Sequence, residues 1–172
     1  MSRAVLSIGS NLGDRLALLQ SAVDGLGPAV RAVSRVYETA AWGGVQQGPF
    51  LNAVLIVEDP AADGHGWLRR AHELEQAAER VRIQRWGPRT LDVDVISCHE
   101  AGGPELLCDD DELTLPHPRA QLRAFVLVPW LDVDPAARLT VDGDRRPVTE
   151  LLEGLEPAER AGVALTDLVL AR

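Results

Sequence analysis

The stretch Arg85-Trp86-Gly87-Pro88-Arg89-Thr90-Leu91-Asp92-Val93-Asp94-Val95-Ile96 contains the most informative strand pattern in this chain. Its second half alternates apolar residues with two aspartates, Asp92 and Asp94. Successive side chains of a β-strand point to opposite faces of the sheet. We therefore expect the apolar side chains to face a core and both carboxylates to emerge together on the other face.

Two carboxylates this close repel each other unless a cation lies between them. Mg2+ suits the position, because it takes oxygen ligands and leaves room for phosphate oxygens. The strand follows a Gly-Pro turn, and four arginines lie within ten residues of an acidic chain: Arg80, Arg82, Arg85 and Arg89. Arginine binds phosphate through a planar, bidentate fork. A pair of aspartates on a strand is also typical of a solvated face, but the arginines favour a site for metal and polyphosphate.

Outward from this strand, the pattern predicts alternating strands and helices. Strands are predicted at 3–9, 30–37, 50–57, 91–98, 106–107 and 138–141, and helices at 14–26, 67–78, 120–131 and 148–152. Residues 38–49 and 79–90 are predicted to be loops, 116–119 a turn, and the tail from Gly162 either a strand or an arm. The order β-α-β-β-α-β over the first 98 residues matches a ferredoxin-like unit, which predicts an α+β sandwich.

Composition limits the functions that are open to the chain. Its 172 residues are enough for one domain, 1–172, with neither a linker nor a repeat. No apolar run approaches the ~20 residues that a membrane-spanning helix needs, and the N-terminus has no secretory pattern, so we expect a cytoplasmic protein. The net charge of −9 argues against nucleic acid as a general partner.

The basic and sulfur-bearing residues exclude further mechanisms. All 17 basic residues are arginine, so the chain has no P-loop lysine and no Schiff-base lysine. Any phosphoryl transfer must rely on arginine and metal. The two cysteines imply no disulfide framework. Zinc could be held by Cys98, His99, Cys108 and His117, although their spacing matches no standard site.

Four segments resemble one enzyme family. They are the opening strand and turn from Val5 to Asp14, Phe50-Leu51-Asn52-Ala53, the stretch 85–96, and Leu115-Pro116-His117-Pro118 followed by Arg123-Ala124-Phe125-Val126-Leu127. In this order, across about residues 3–135, they are similar to the 6-hydroxymethyl-7,8-dihydropterin pyrophosphokinases of folate biosynthesis. The resemblance implies a ferredoxin-like core in which an antiparallel sheet carries helices on both sides, a three-layer α-β-α sandwich.

The resemblance also implies a reaction, in which diphosphate passes from ATP to the hydroxymethyl group of a reduced pterin and AMP is released. It implies that Asp92 and Asp94 bind two Mg2+ ions, and that Arg80 and Arg89 act with them in catalysis. ATP contacts are implied for Glu75, Arg80, Arg82, Trp86, Arg89, Val95, His117, Pro118 and Arg123. Alternatives stay open for three of these groups: Glu75 as an inert helical residue, His117 as part of a rigid turn, and Arg80 and Arg82 as a solvated basic loop.

Pterin contacts are implied for Thr39, Ala40, Trp42, Phe50, Asn52, Asp92 and Phe125. The chain has only two phenylalanines, and both match positions that stack on the pterin ring, although both could be core residues. Asn52 offers an amide for the ring edge. The loop Thr39-Ala40-Ala41-Trp42-Gly43 lacks the prolines usual in the family, which loosens its backbone. Trp42 in this loop is a candidate lid over the site, and so is Trp86.

Two other functions remain open. A different metal-dependent nucleotidyl or phosphoryl transferase would use the two aspartates and the arginines, but it would not account for Phe50, Asn52 and Phe125. A ferredoxin-like module that binds a nucleotide without turnover is the third possibility. The expected partners are small-molecule substrates only, with neither nucleic acid nor membrane, and the expected oligomeric state is a monomer.

Overall fold

An antiparallel sheet of six strands lies at the centre of the protein. The computed structural model describes residues 2–40, 48–82 and 91–172, and in 80–82 the backbone only. The strands are β1 (Ser2–Ser10), β2 (Val30–Val33), β3 (Tyr37–Thr39), β4 (Phe50–Asp59), β5 (Asp92–Glu100), β6 (Cys108–Asp109), β7 (Thr114–Leu115), β8 (Arg138–Val141), β9 (Asp144–Pro147) and β10 (Val163–Leu165). The helices are α1 (Arg15–Leu26), α2 (Gly64–Arg82), α3 (Ala124–Val133), α4 (Val148–Glu153) and α5 (Pro157–Ala161).

The strand order in the sheet is β10-β3-β4-β1-β5, and β2 pairs with β4 beside β3. β1 lies in the middle, antiparallel to both β4 and β5. Two short hairpins, β6–β7 and β8–β9, stand outside this sheet. The predicted α+β class and antiparallel sheet are therefore confirmed.

One face of the sheet carries α1 and α2. Alternate residues of the long strands, including Leu6, Leu55 and Val93, pack there against Leu19 of α1 and Trp67 of α2. All of these side chains are buried. We call this side of the sheet the α1/α2 face.

The opposite face carries α3 and α4. Val5, Val54 and Ile96 pack there against Leu127 and Trp130 of α3. Because the two clusters take alternate residues of the same strands, the period of two in the sequence separates the two cores. We call this side the α3 face.

Local signals set the ends of α1. Asp14 caps the helix, its Oδ1 accepting a hydrogen bond from the backbone N–H of Ala17 at 3.1 Å. Gly27 follows the last residue with a φ of 55°, a conformation that few residues other than glycine adopt easily. Both ends of the predicted helix are confirmed.

Other boundaries differ from the predictions. The predicted strand 30–37 is divided into β2 and β3, because the hydroxyl of Ser34, rather than a backbone carbonyl, accepts the hydrogen bond from Val54 N at 2.9 Å. The helix predicted to end at Ala78 continues to Arg82. Residues 79–82 contain neither glycine nor proline, and three of the four are good helix formers, so Arg80 and Arg82 lie on α2 rather than in a loop.

Two predictions in the C-terminal half were also wrong. The short strand is β6 at 108–109 rather than 106–107, because Leu106 N donates instead to Cys98 O at the end of β5. The helix predicted at 120–131 begins at Ala124, after a 3-10 turn. Pro129 does not end α3, since the burial of side chains such as Trp130 outweighs one lost backbone hydrogen bond.

In the described part of the chain, no helix combines the length and the apolar character that crossing a bilayer requires.

Candidate active site

The candidate site lies on the α3 face, where β1 ends and β4 and β5 begin. Gly9 of β1 is opposite Asn52 of β4 on one side and Asp92 of β5 on the other. Residues paired in this way point to the same face of a sheet. The pairing therefore places an amide and a carboxylate on either side of a glycine.

A cavity of about 300 Å³ opens above this row. Its lining residues come from the sheet and from the start of α3: Ser7, Gly9, Thr39, Ala40, Phe50, Asn52, Asp92, Asp94, Arg123 and Phe125. The volume lies at the lower end of the range for small-molecule pockets. The lining combines two aromatic rings with a few polar groups, which suits a flat, polar-edged ligand.

Asp94 and Arg123 provide charge at one end of the cavity. Asp94 Oδ2 lies 3.8 Å from Arg123 Nη1, and the Asp94 side chain is 44% exposed. The Arg123 guanidinium carbon lies 5.5 Å from the centroid of the Phe125 ring. This arrangement keeps a carboxylate open toward the cavity beside a cation, and the aromatic ring lies against that cation.

Asn52 is buried at the other end of the cavity, with 3% exposure. Its Nδ2 donates a hydrogen bond to Thr39 Oγ1 at 2.7 Å, which fixes the plane of the amide. A Cβ on Gly9 would lie 3.0 Å from Asn52 Oδ1. A side chain at position 9 would therefore press on the amide, and glycine leaves it room.

Glu75 of α2 contacts the strand that carries the aspartates. Its Oε2 accepts a hydrogen bond from the backbone N–H of Val93 at 3.0 Å, between Asp92 and Asp94. The contact ties the helix to the start of β5. Val95, two residues further, is buried in the core of the α1/α2 face.

His117 lies beside the same strand. Its backbone N–H donates to Ile96 O at 2.8 Å, and its Nδ1 accepts from Arg119 N at 3.2 Å. Burial lowers the pKa of His117 below its usual range, although the charge of Asp94 opposes part of the shift. The neutral ring then carries its proton on Nε2 and can donate one hydrogen bond from there.

Comparison with known proteins identifies the family. Residues 5–135 match the model of the 7,8-dihydro-6-hydroxymethylpterin-pyrophosphokinase (HPPK) family. The chain belongs to this family. The match confirms the resemblance seen in the sequence.

Two curated relatives of HPPK type are similar over most of their length. The 2-amino-4-hydroxy-6-hydroxymethyldihydropteridine pyrophosphokinase of Mycobacterium tuberculosis (strain ATCC 25618 / H37Rv) is 60% identical over 169 residues, which cover 96% of this chain and 90% of the relative. The enzyme of the same name from Mycobacterium leprae (strain TN) is 62% identical over 175 residues, with coverage of 99% and 92%.

A crystal structure of Plasmodium falciparum HPPK-DHPS shares the HPPK fold with a TM-score of 0.61 and 12% identity. The match covers 87% of this chain and 43% of that one, so the chain spans less than half the length of the Plasmodium protein. At this identity the likeness concerns the fold alone.

The structure brings together most of the residues predicted for pterin binding. Thr39, Ala40, Phe50, Asn52, Asp92 and Phe125 all line the cavity. Trp42 lies outside the described residues. Both phenylalanines are partly buried at the cavity wall, one from β4 and one from α3.

The residues predicted to bind ATP are only partly described. Arg123 lines the cavity close to Asp94. The backbone of His117 is hydrogen-bonded to Ile96 of β5, and Pro118 follows His117. Arg89 and Trp86 lie outside the described residues, as do the side chains of Arg80 and Arg82. Their roles stay predictions.

Sequence reasoning assigned no role to Ser7 or Gly9, yet both line the cavity. The signal was present in Val5-Leu6-Ser7-Ile8-Gly9, because the small residues occupy the strand face opposite Leu6 and Ile8. Small residues on one side of a strand whose other side is apolar leave space for a ligand.

The donor set of the cavity fits a hard divalent cation. Its lining offers carboxylate, amide and hydroxyl oxygens and neither histidine nor cysteine, as Mg2+ prefers. The four residues considered for zinc do not form a cluster in the described residues. The one His/Cys/Asp group found there is His65, Cys108 and Asp110, in which His65 Nε2 and Asp110 Oδ2 form a hydrogen-bonded pair of 2.7 Å.

Proposed function

We propose that this protein transfers diphosphate from ATP to the hydroxymethyl oxygen of 6-hydroxymethyl-7,8-dihydropterin and releases AMP, a reaction of folate biosynthesis. The observation that supports this proposal best is the row Asp92–Gly9–Asn52 beneath the cavity, in a chain of the HPPK family. One end of the row is suited to a metal-bound hydroxyl, and the other is suited to the amide-like edge of a pterin.

The pterin would lie between the two phenylalanine rings. Phe50 reaches the cavity from the sheet and Phe125 from α3, and aromatic rings favour stacked or offset contact with a flat heterocycle. Asn52, held by Thr39, would pair with the polar edge of the ring. Gly9 leaves that edge accessible, since a side chain there would meet the amide.

Asp92 and Asp94 would hold two Mg2+ ions. Bound Mg2+ supplies charge neutralisation on the polyphosphate and lowers the pKa of a coordinated hydroxyl. The chain's own contribution is to fix the carboxylates: β5 pairs with β1 along its length, and Glu75 holds the backbone between them. Arg123, near Asp94, adds a positive charge beside the phosphates.

ATP would lie along the first half of β5. His117 would donate from Nε2 to the nucleotide, with Pro118, Glu75 and the backbone near Val95 forming the rest of the pocket. Arg80, Arg82 and Arg89 would contact the phosphates, and Trp86 would close over them. These contacts follow from the family pattern.

The reaction in this arrangement is an in-line displacement. The pterin hydroxyl oxygen attacks the β-phosphorus, and the bond from that phosphorus to the oxygen bridging it to the α-phosphorus breaks. The AMP oxygen takes the electron pair, and the hydroxyl proton is lost to solvent. The protein contributes mostly positioning and fixed charge, as is usual in phosphoryl transfer.

We also propose the finer features of the fold and state of the protein. The strand order β5-β1-β4 with β2 and β3 at the far side supports a ferredoxin-like core in a three-layer single domain, 1–172. A monomer is proposed because few large apolar residues are exposed in the described part of the chain: Leu107, Leu122, Leu165 and Val169. A cytoplasmic location suits an enzyme that uses ATP.

An AMP-release assay tests the function. ATP, Mg2+ and 6-hydroxymethyl-7,8-dihydropterin should give one AMP for each pterin diphosphate formed. A control acceptor with a methyl group in place of the hydroxymethyl should give no AMP, because it lacks the attacking oxygen. Release of ADP instead of AMP would indicate transfer of a single phosphate. Nucleotide binding without any product would favour a sensing module.

A further inference from the structure

The C-terminal segment, residues 155–172, runs back to the candidate cavity. It lies beyond residue 135, where the match to the family model ends. It contains α5 and β10 and then an extended arm. Two of its contacts reach walls of the cavity that come from different parts of the fold.

The first contact is with β3. Val163 of β10 pairs with Thr39, and the backbone N–H and hydroxyl of Thr166 both donate to Val36 O, at 3.1 and 2.8 Å. β3 is only three residues long and has β4 on its other side. β10 therefore covers what would otherwise be an open edge, and it does so at Thr39, the partner of Asn52.

The second contact is with the start of α3. Glu159 Oε1 accepts a hydrogen bond from the backbone N–H of Ala124 at 3.2 Å. Arg123, at the N-cap position of α3, makes no side-chain cap, and Ala124 is fully buried. A buried N–H at a helix start needs an acceptor, and a carboxylate suits the positive end of the helix dipole. The residues on either side of Ala124 are Arg123 and Phe125, and both line the cavity.

The two contacts meet at one crevice. A space of about 150 Å³ separates cavity residues from the C-terminal segment, lined by Thr39, Ala40, Phe125, Ala158, Glu159, Gly162 and Val163. The same short segment therefore touches the wall that comes from the sheet and the wall that comes from α3.

We propose that the C-terminal segment sets the spacing of the two walls that hold the pterin, and that Glu159 is the positioning residue for Phe125. This proposal rests on the proposed function, because it assigns a role in binding that reaction's acceptor.

The rest of the arm holds the segment independently of Glu159. Gln20 forms two hydrogen bonds with the backbone of Ala171, at 2.7 and 2.9 Å. Leu170 is buried against the α1/α2 core. Loss of the Glu159 carboxylate should therefore release the start of α3 without releasing the arm.

The test measures pterin affinity in full-length variants, by calorimetry with 6-hydroxymethyl-7,8-dihydropterin, Mg2+ and a nonhydrolysable ATP analogue. Glu159→Ala should raise the pterin Kd about tenfold, the effect of losing one hydrogen bond to a charged group. The Kd of the analogue and kcat at saturating pterin should stay within about twofold of wild type. Glu159→Gln keeps an acceptor oxygen and should stay within about threefold. Glu153→Ala is the charge-matched control on an exposed residue, and it should change neither the pterin Kd nor the Kd of the ATP analogue.

A double variant separates positioning from stability. If Glu159 acts through Phe125, Glu159→Ala should weaken pterin binding much less in a Phe125→Ala background than in wild type. An unchanged pterin Kd with a lowered melting temperature in Glu159→Ala would overturn the proposal, and so would full additivity of the two variants. If wild-type protein bound the ATP analogue but not the pterin, the proposed function itself would fail, and this proposal with it.

Discussion

The two faces of the sheet are built from the same strands but differ at their ends. On the α1/α2 face, residues such as Ile8, Leu51 and Val93 keep the surface apolar to the ends of the strands. On the α3 face the apolar surface stops, and the last positions carry Ser7, Gly9, Asn52, Asp92 and Asp94. The strands alternate in the same way on both faces, so periodicity alone does not distinguish core from site. The chemical character of the last residues on each face distinguishes the core from the site.

The difference follows from what covers each face. α1 and α2 both pack across the α1/α2 face, while on the α3 face the first turn of α3 borders the cavity. Polar groups are tolerated there because each has a partner or a route to solvent. Asn52 is bonded to Thr39, and Asp94 is partly exposed.

The largest effect is expected from removing a carboxylate on the α3 face. Asp94→Ala should lower kcat by about a thousandfold, because the charge that holds the metal is lost. Its free energy of unfolding should not fall, since the side chain points away from the core. AMP release and urea denaturation measure the two quantities, with Asp144→Ala as the control on an exposed hairpin aspartate. Near-normal Mg2+-dependent turnover would remove Asp94 from the metal site.

The reverse pattern is expected on the α1/α2 face. Leu55 is fully buried there, and Leu55→Ala should lower the free energy of unfolding by about 2–5 kcal/mol through lost burial and a residual cavity. Pterin and ATP affinities of the folded protein should stay near wild type. If Leu55→Ala weakened pterin or ATP binding without lowering the free energy of unfolding, the two faces would not be separate in function.

An intermediate effect is expected at Asn52, which is buried like a core residue but points into the cavity. Asn52→Ala should weaken pterin binding by about 1–3 kcal/mol, because the polar edge of the ligand loses its partner. Binding of MgATP should barely change. Calorimetry with both ligands is the measurement, and equal losses for the two would mean that Asn52 supports the fold instead.

The smallest effect is expected at the polar cluster that ties β3 to α3. Tyr37 Oη donates to Asp132 Oδ2 at 2.7 Å. Arg35 forms three further bonds to the same carboxylate, from its backbone N–H at 3.3 Å, Nε at 3.1 Å and Nη2 at 2.8 Å. Tyr37→Phe should lower the free energy of unfolding by about 1 kcal/mol and leave turnover unchanged.

The same variant gives a pH test. Burial and the hydrogen bond to Asp132 raise the pKa of Tyr37 from 10.0 to about 12. Because the folded pKa is raised, this stability is fully present below pH 10 and is lost as the pH rises toward 12. Urea denaturation across this range should show a steeper loss for wild type than for Tyr37→Phe. If the free energy of unfolding fell equally with pH in both proteins, the titration of Tyr37 would not be the cause of the loss.

The sequence was sufficient for most of the fold, because the long elements have strong periodicity and clear end signals. Asp14 and Gly27 bound α1 as expected. The errors came where a side chain or a distant partner replaced a regular backbone bond. Ser34 interrupts a strand through its hydroxyl, and Leu106 bonds to the end of β5; neither bond can be predicted from local pattern.

The candidate site was predictable where a residue's chemistry is unusual for its position, as with the two aspartates on a strand. Gly9 and Ser7 were missed because small residues carry no chemical signal until their neighbours are known. Glu159 was missed for a related reason. A glutamate on a short helix near the C-terminus becomes informative only when the start of α3 is seen beside it.

The row Asp92–Gly9–Asn52 crosses three neighbouring strands, and strands in a sheet lie about 4.8 Å apart. The carboxylate and the amide are thus held about 10 Å apart at the backbone by main-chain hydrogen bonds. The sheet therefore fixes the distance between these two groups. In the proposed reaction, the pterin ring would lie toward the amide and its hydroxymethyl arm toward the carboxylate. The backbone separation of the carboxylate and the amide is therefore a property of strand spacing, and it does not depend on which side chains stand at the two positions.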